Sequence, residues 1–312
     1  MKGSVLVIGL YGQSALLSLI HISVKRLPLP GESILSTEIQ FEPGGKGYNQ
    51  ALSACRMGCR TVFATAVGAD LWGTQAEQCF KDSGFSQYRA ISVPGASTAF
   101  ASVLAAEDGE NEVVVNQGAC GRVTEEMIFS LEDLFSQAAV VLLQCELPPE
   151  ALRAAVSLAK RHHAYTILNP APARDLPASI FEGADLLTPN WTEAHQLCGL
   201  PVEETRSPSE LAKRLLDKGS KSVIITMGHR GAFLSQGGRE HFQPAFPIQA
   251  VDSTGAGDTF NGAVACEIAR GIPLEQSLQT AAAASALCVS RSGVLQAIPW
   301  RREVESFLQG KL

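Results

Sequence analysis

The 312-residue sequence has no apolar run of membrane-spanning length, so no spanning helix is expected. It has no excess of positive charge either. The formal net charge of −6 argues against nucleic acid or an anionic membrane as the main partner. No repeat, low-complexity tract or linker divides it, and no stretch is polar enough to suggest disorder, so residues 1–312 are expected to form a single domain. Its eight cysteines are scattered and mostly embedded in apolar surroundings. Cys55 and Cys59 are spaced to share a helix face, but no second pair and no nearby histidines complete a zinc set. Most are expected to be buried thiols of a cytosolic protein. The opening Met1-Lys2-Gly3-Ser4-Val5-Leu6-Val7-Ile8 is too short for a signal peptide and reads as a first strand, so a cytoplasmic location is expected.

What is present is a globular composition, 46% hydrophobic and 18% charged, and one stretch that organises the rest. Val251-Asp252-Ser253-Thr254-Gly255-Ala256-Gly257-Asp258-Thr259-Phe260-Asn261-Gly262-Ala263 reads as a glycine-rich loop entering a helix. Phe260, Val264 and Ile268 recur at helical spacing, and Gly271 and Pro273 supply stop signals. Gly255 and Gly257 allow successive N–H groups to converge at the positive end of that helix, where phosphate oxygens are stabilised. Asp258, in the same first turn, can accept a proton from a hydroxyl attacking the phosphate. A tight turn followed by an ordinary N-terminal Asp is the plainer explanation of the stretch.

The rest of the chain alternates. Strands are expected at Thr61–Ala66, Ala139–Leu143, Tyr165–Leu168, Asp185–Leu187 and Ser222–Thr226. Helices are expected at Asn49–Met57, Leu71–Lys81, Glu125–Phe135, Glu150–Arg161, Glu193–Leu197, Ser209–Lys218, Asp258–Arg270, Leu274–Ser290 and Arg302–Leu308. Such alternation predicts an α/β fold with a parallel sheet and ligands at the carboxyl ends of its strands. Two stretches, about 11–42 and 95–117, instead carry strand and hairpin signals and predict a small separate β-sheet acting as a lid.

Several further motifs carry chemistry. Pro43-Gly44-Gly45-Lys46-Gly47-Tyr48-Asn49-Gln50 offers close backbone approach and an amide suited to vicinal sugar hydroxyls, or else a lid hinge with Asn49 as a helix cap. It is not a phosphate loop, because no hydroxyl residue follows the lysine. Gly9 and Gly12 follow the first strand without the middle glycine of a dinucleotide fingerprint. Asn190-Trp191-Thr192-Glu193 fits a magnesium–phosphate group, with Asn190 on an oxygen and Glu193 ordering water, and equally fits a capping box. Thr226-Met227-Gly228-His229-Arg230-Gly231 can hold a nucleotide or simply turn the chain. Glu146, just past a buried strand, can grip a hydroxyl or lie on the surface.

Together these residues resemble the ribokinase-like (PfkB) family of ATP-dependent carbohydrate kinases, and within it ribokinases. The most specific elements are Gly44-Gly45-Lys46-Gly47-Tyr48-Asn49 and Asp252-Ser253-Thr254-Gly255-Ala256-Gly257-Asp258, with support from Asn169-Pro170-Ala171-Pro172-Ala173-Arg174 and Thr188-Pro189-Asn190. The resemblance covers essentially the whole chain. It implies a three-layer α/β/α sandwich with a mostly parallel central sheet and a small β lid that forms a homodimer contact. It implies transfer of phosphate from ATP, with Mg2+, to a hydroxymethyl group of a small sugar. Asp258 would be the base, Gly255, Ala256 and Gly257 the anion hole, and Gly44, Gly45, Lys46, Asn49 and Glu146 the sugar site. Asn190, Thr226, Gly228 and Gly231 would serve the nucleotide, and Glu193 with Asn190 the magnesium through water. A K+ site would draw on Asp252 and Thr254 with carbonyls near Cys288, Arg291 and Gly293, although Ala297 stands where ribokinases have a further serine ligand.

One departure bears on the substrate. Ribokinases carry Asn-Ala-Asp after the first strand, whose Asn and Asp hold sugar hydroxyls; this chain has Gly12-Gln13-Ser14. A short neutral serine in place of a carboxylate argues for a sugar other than plain ribose. Two other acceptors fit the same scaffold, a nucleoside stacked on Tyr11 or Tyr48 and a phosphosugar held by Lys46 and Arg174. A non-catalytic sugar- or nucleotide-binding module is the alternative from another class.

Overall fold

The structure, a computed structural model, describes residues 4–8, 19–42, 44–108, 110–203 and 206–311. Gly9, Tyr11, Gly12, Gln13 and Ser14, singled out above, lie outside the described residues. The strands, in chain order, are β1 Ser4–Ile8, β2 Leu19–Val24, β3 Glu38–Glu42, β4 Arg60–Gly68, β5 Gln87–Val93, β6 Phe100–Ala106, β7 Asn111–Asn116, β8 Val140–Gln144, β9 Tyr165–Asn169, β10 Leu186–Leu187, β11 Ser222–Thr226, β12 Ala232–Gln236 and β13 Arg239–Gln243. The α-helices are α1 Lys46–Arg56, α2 Leu71–Asp82, α3 Glu125–Phe129, α4 Glu132–Phe135, α5 Pro149–Arg161, α6 Ala178–Glu182, α7 Trp191–Leu197, α8 Pro208–Leu216, α9 Ala256–Ala269, α10 Leu274–Val289 and α11 Arg301–Leu308.

Nine strands form the main sheet in the order β13-β12-β11-β10-β9-β8-β1-β4-β5. From β11 to β5 every pairing is parallel, and β12 and β13 close one edge antiparallel. The central strands Val5–Ile8 and Val140–Leu143 are apolar at every position because helices cover both faces, leaving no wet side to alternate towards. The result is a three-layer α/β/α sandwich, mostly parallel at its centre. The remaining four strands form a second sheet, β3-β2-β6-β7, in which only the β2–β6 pairing is parallel.

Two adjustments to the sequence reading follow from local chemistry. Glu125–Phe135 is not one helix but two, because the chain breaks at Ser130 and Leu131 before α4 restarts. The helix expected from Asn49 begins three residues earlier, at Lys46, so Lys46 and Asn49 share a rigid helix rather than a loop.

α1 and α9 pack against each other and against the central strands. α9 carries apolar residues round most of its circumference, as a helix buried on nearly all sides must. Ser53 Oγ, on α1, donates to the Thr259 carbonyl at 2.8 Å. Cys59 and Cys266 form a disulfide with a Cα–Cα separation of 5.6 Å, tying the chain just beyond α1 to the far end of α9. The pairing corrects two expectations. These two cysteines are not free thiols, and Cys59 lies beyond the end of α1 rather than on a helix face with Cys55.

Candidate active site

α9 begins where the backbone turns left-handed at Gly255, with φ of 77°. That conformation is strained for a residue with a Cβ, which explains the glycine. The amides of Gly257 and Asp258 make no hydrogen bond to the described residues, as expected of the first turn of a helix. A Cβ built at Gly257 would meet nothing within 4 Å, so the space beside its Cα is open. Asp258 stands in that first turn, and both of its oxygens are engaged from α1. Asn49 Nδ2 donates to Oδ2 at 2.9 Å, and Gln50 Nε2 donates to Oδ1 at 2.9 Å.

Around Asp258 the charges are few and close. Burial raises the Asp258 carboxyl above its ordinary value, opposed by the Lys46 ammonium and by the amides of Asn49 and Gln50. Burial alone would lower the Lys46 ammonium, but the carboxylates of Asp258, Glu146 and Glu193 outweigh it and the net shift is upward. Lys46 therefore stays charged, the cation among three acids. Glu146 follows β8 with its carboxyl buried and neither oxygen hydrogen-bonded among the described residues. Burial holds it well above the usual carboxylate range, opposed by Lys46 and Arg174 and reinforced by Asp258. An unpaired buried carboxyl of this kind is costly unless something else binds it. Gly44 and Gly45 are buried immediately before α1.

The strand ends beyond α9 carry the other expected residues. Asn190 and Glu193 form the capping box of α7, with Asn190 Oδ1 accepting from the Glu193 amide and Glu193 Oε2 from the Asn190 amide, both at 2.8 Å. Burial raises the Glu193 carboxyl; the Asn190 amide and Lys46 draw it down, and Asp258 adds to the rise. Thr226, closing β11, donates its amide to the Pro189 carbonyl at 3.0 Å and so lies beside Asn190. Gly228 and Gly231 bracket the short turn that follows, and Arg230 in that turn stacks 4.2 Å from the Trp191 ring centroid.

The loop before α9 is joined to the end of α10. The amides of Val251 and Asp252 donate to the Val289 carbonyl at 2.7 and 3.2 Å, and the Cys288 thiol approaches the Thr254 carbonyl at 3.9 Å. Asp252, Thr254, Cys288 and Arg291 are thus brought into one neighbourhood, with Gly293 two residues on. These groups are oxygen-rich, the donor type a hard monovalent cation takes. Ala297 is buried. Among the described residues no group of three or more His, Cys, Asp or Glu side chains could hold a metal by itself.

Five neighbours of Asp258 and the α9 start were given no role from the sequence: Gln50, Gln144, Asn169, Thr188 and Asn261. Gln144 Nε2 donates to Gln50 Oε1 at 2.6 Å, and Gln50 Nε2 donates to Asn169 Oδ1 at 3.0 Å. Asn169 Nδ2 donates to the Thr188 carbonyl at 2.9 Å; Thr188 Oγ1 donates to Asn261 Oδ1 at 2.5 Å; Asn261 Nδ2 donates to the Gly257 carbonyl at 2.8 Å. All five are buried. A signal was available: Gln144, Asn169 and Thr188 are the polar residues that end three apolar runs, and β8, β9 and β10 are adjacent in the sheet. Tyr48 is corrected in the other direction. Its ring is buried against Phe63, Phe80 and Phe85, with its hydroxyl 2.7 Å from Ser83 Oγ, so it is not free to stack on a nucleoside.

Comparison with known proteins agrees with this geometry. The model of the pfkB family carbohydrate kinases matches residues 7–301. Ribokinase of Haemophilus influenzae is 33% identical over 288 residues, covering 92% of this chain and 94% of that protein. Ribokinase of Bacillus subtilis is 35% identical, covering 95% and 97%. The solved structure of Arabidopsis thaliana ribokinase complexed with ribose and ATP superposes with a TM-score of 0.92 at 31% identity and covers 99% of each chain.

Proposed function

The chain belongs to the pfkB family of carbohydrate kinases and is a ribokinase-like phosphotransferase, and from that premise we propose how it acts and on what. ATP is the phosphate donor, as it is the bound nucleotide in the Arabidopsis enzyme. The acceptor is a hydroxymethyl group of a small sugar. One observation carries the assignment of roles: the Asp258 carboxylate and two helix amides without a partner among the described residues, those of Gly257 and Asp258, share one helix turn, with the Asn49 side-chain amide on the carboxylate.

In this reading Asp258 takes the hydroxyl proton through Oδ2 while the oxygen attacks the γ-phosphorus in line. The amides at residues 255–257 stabilise the charge on the transferred group. Glu146 accepts from a sugar hydroxyl, which supplies the partner its buried carboxyl lacks. Lys46 and Asn49 bind further hydroxyls, with the backbone of Gly44 and Gly45 beside them. Asn190 and the turn Thr226–Gly231 face the nucleotide. Mg2+ fits here only as part of the nucleotide complex, met through water by Glu193, whose Oε1 is not committed to the capping box. When bound, the ion neutralises phosphate charge. K+ fits the oxygens around Asp252, Thr254 and the 288–293 carbonyls, and would steady the loop leading into the amides.

The four-stranded sheet, within residues about 11–42 and 95–117, is read as a lid that closes over the sugar and excludes water. Ile39 and Val114 on it are 50% and 63% exposed, which supports a homodimer through this sheet, testable by sizing in solution. No helix among the described residues is long and apolar enough to cross a membrane, and dependence on ATP supports a cytoplasmic site of action. A phosphosugar acceptor is disfavoured because Lys46 already faces three carboxylates. The sugar is proposed to differ from ribose on the strength of Gly12-Gln13-Ser14.

The test is ADP release over pentoses, hexoses, deoxysugars, sugar acids and nucleosides, with and without K+. Turnover with a non-phosphorylated sugar supports the reading. Nucleotide binding with no ADP release on any acceptor would sink it in favour of a binding module.

A further inference from the structure

We propose that Gln50 is a positioning residue for Asp258, fixing the rotation of its carboxylate so that Oδ1 is the anchored oxygen and Oδ2 the one presented to the substrate hydroxyl. The inference rests on Asp258 being the base. It begins from a question of which way a buried amide points. The Thr188 carbonyl can only accept, so the Asn169 group facing it at 2.9 Å must be the NH2, which leaves Asn169 Oδ1 facing Gln50. The Gln50 group facing Asn169 Oδ1 at 3.0 Å must then be its own NH2, and Gln144 completes the set by donating to Gln50 Oε1 at 2.6 Å.

Gln50 Nε2 has two protons. One goes to Asn169 and the other to Asp258 Oδ1 at 2.9 Å, so the donor capacity of the amide is used in full. A flipped Gln50 would set its oxygen against two acceptors, so the orientation is fixed by the ends of three neighbouring strands rather than by Asp258 itself. Gln50 is fully buried, and exchange with water does not relieve it. Asn49, by contrast, keeps its own Oδ1 without a partner among the described residues. On sugar binding it can release Oδ2 to the incoming hydroxyl while the grip on Oδ1 persists. When the hydroxyl O–H bond breaks, its proton therefore goes to Oδ2 as the new O–P bond forms and the bond from the γ-phosphorus to the bridging oxygen breaks, releasing ADP.

The contact also favours the ionised carboxylate, since an N–H donor stabilises the charged form. The other charged or titratable groups facing Asp258 are Lys46 from α1, Glu146 after β8, Glu193 from α7 and Cys288 from α10. Only Lys46 among them favours the anion. Losing Gln50 should therefore raise the pH at which Asp258 ionises.

The experiment is the pH profile of kcat, at saturating sugar and ATP, for the wild type, Gln50→Leu and Gln50→Glu, with Asp258→Asn in parallel. The acid limb of Gln50→Leu is expected to move up by about one pH unit, so kcat well below the limb falls about tenfold. KM for ATP should stay within about threefold. Gln50→Glu should move the limb further in the same direction, because it adds a like charge. The shift should persist in a Glu146→Gln background, which assigns the limb to Asp258. Should Gln50→Leu fail to fold, Gln144→Met leaves the Gln50–Asp258 contact in place but removes the donor to Gln50 Oε1, so the amide is held less firmly and a smaller upward shift is expected. A uniform loss of kcat with an unmoved limb, in whichever of these variants folds, would overturn the proposal. Retained turnover in Asp258→Asn would instead overturn the reading of Asp258 as the base, a separate result.

Discussion

Asn49 reaches Asp258 across 209 positions of sequence, donating its amide to Oδ2 at 2.9 Å. The bond joins the helix that carries Lys46 to the helix whose first turn carries the proposed base, and it exists because α1 and α9 lie in direct contact. A proton acceptor with amide neighbours on one side and open helix N–H groups on the other is a geometry for moving charge from oxygen to phosphorus. Removing the acceptor gives the most direct prediction. Asp258→Ala should lower kcat by about two to four orders of magnitude. Its Tm should stay within a few degrees of the wild type, because the carboxylate carries a burial cost that its two hydrogen bonds only partly offset. In the wild type, kcat should fall on acidification at a pH above the ordinary aspartate range, since the folded value is raised and the base must be ionised to act. A limb at or below the ordinary value would contradict this.

Glu146 predicts a trade of stability against affinity. Its folded pKa is raised, so the folded state holds the proton more tightly than the unfolded chain does. The sign follows: stability is lost as pH rises from the unfolded carboxyl value towards the folded one. Glu146→Gln removes that liability and should gain on the order of 1 kcal/mol at pH 8, while being nearly neutral at pH 4. The same change weakens the grip on a sugar hydroxyl, so sugar KM should rise about tenfold or more. Melting curves at the two pH values, set beside sugar KM, check both halves. A variant less stable at pH 8 would refute the argument.

How far these residues could be read in advance depends on how locally each signal is written. Asp258 and its glycines are contiguous, so loop and helix start were legible as one motif. Ser222–Thr226 encloses the apolar run Val223–Ile225 and its limits coincide with the expected ones. β5 and β13 were not found, because an edge strand is wetted and lacks the continuous apolar run that marks the centre; β12, though buried, was not found because its apolar run is only Ala232–Leu234. The buried ring of amides was missed for another reason. Gln50, Gln144, Asn169, Thr188 and Asn261 come from five elements, and only the order of β8, β9 and β10 in the sheet brings them together. The capping box of Asn190 and Glu193 shows the opposite limit, for its spacing serves a helix cap and a nucleotide site equally well.

The acceptor sugar supplies the next prediction. Ser14 replaces a carboxylate that in ribokinases would accept hydroxyl bonds, and charge-assisted bonds contribute about 1.5–3 kcal/mol each. Ribose should therefore show a KM at least about tenfold higher than the preferred sugar. Ser14→Asp should lower the ribose KM with less effect on kcat. Ribose emerging as much the best acceptor of the wild type would show that Gly12-Gln13-Ser14 does not govern the choice.

Two glycines on α9, five residues apart, separate what the helix does for the fold from what it does for the reaction. A Cβ at Gly262 would lie 2.4 Å from the Gln50 carbonyl oxygen and 2.5 Å from Ser53 Cβ, both on α1. Neither can retreat without moving the helix, so Gly262→Ala should destabilise the protein by about 1–3 kcal/mol through overpacking. It should lower Tm, and kcat with it, because α1 carries Asn49 and Gln50. A Cβ at Gly257 would meet nothing within 4 Å. Gly257→Ala should therefore melt like the wild type, yet place a methyl group beside the helix amides proposed to receive the transferred phosphate. Its kcat should drop at least about tenfold with Tm unchanged, the loss expected when an oxyanion donor is obstructed. If Gly257→Ala kept full turnover, the phosphate would have to lie elsewhere and the assignment of residues 255–258 would fail.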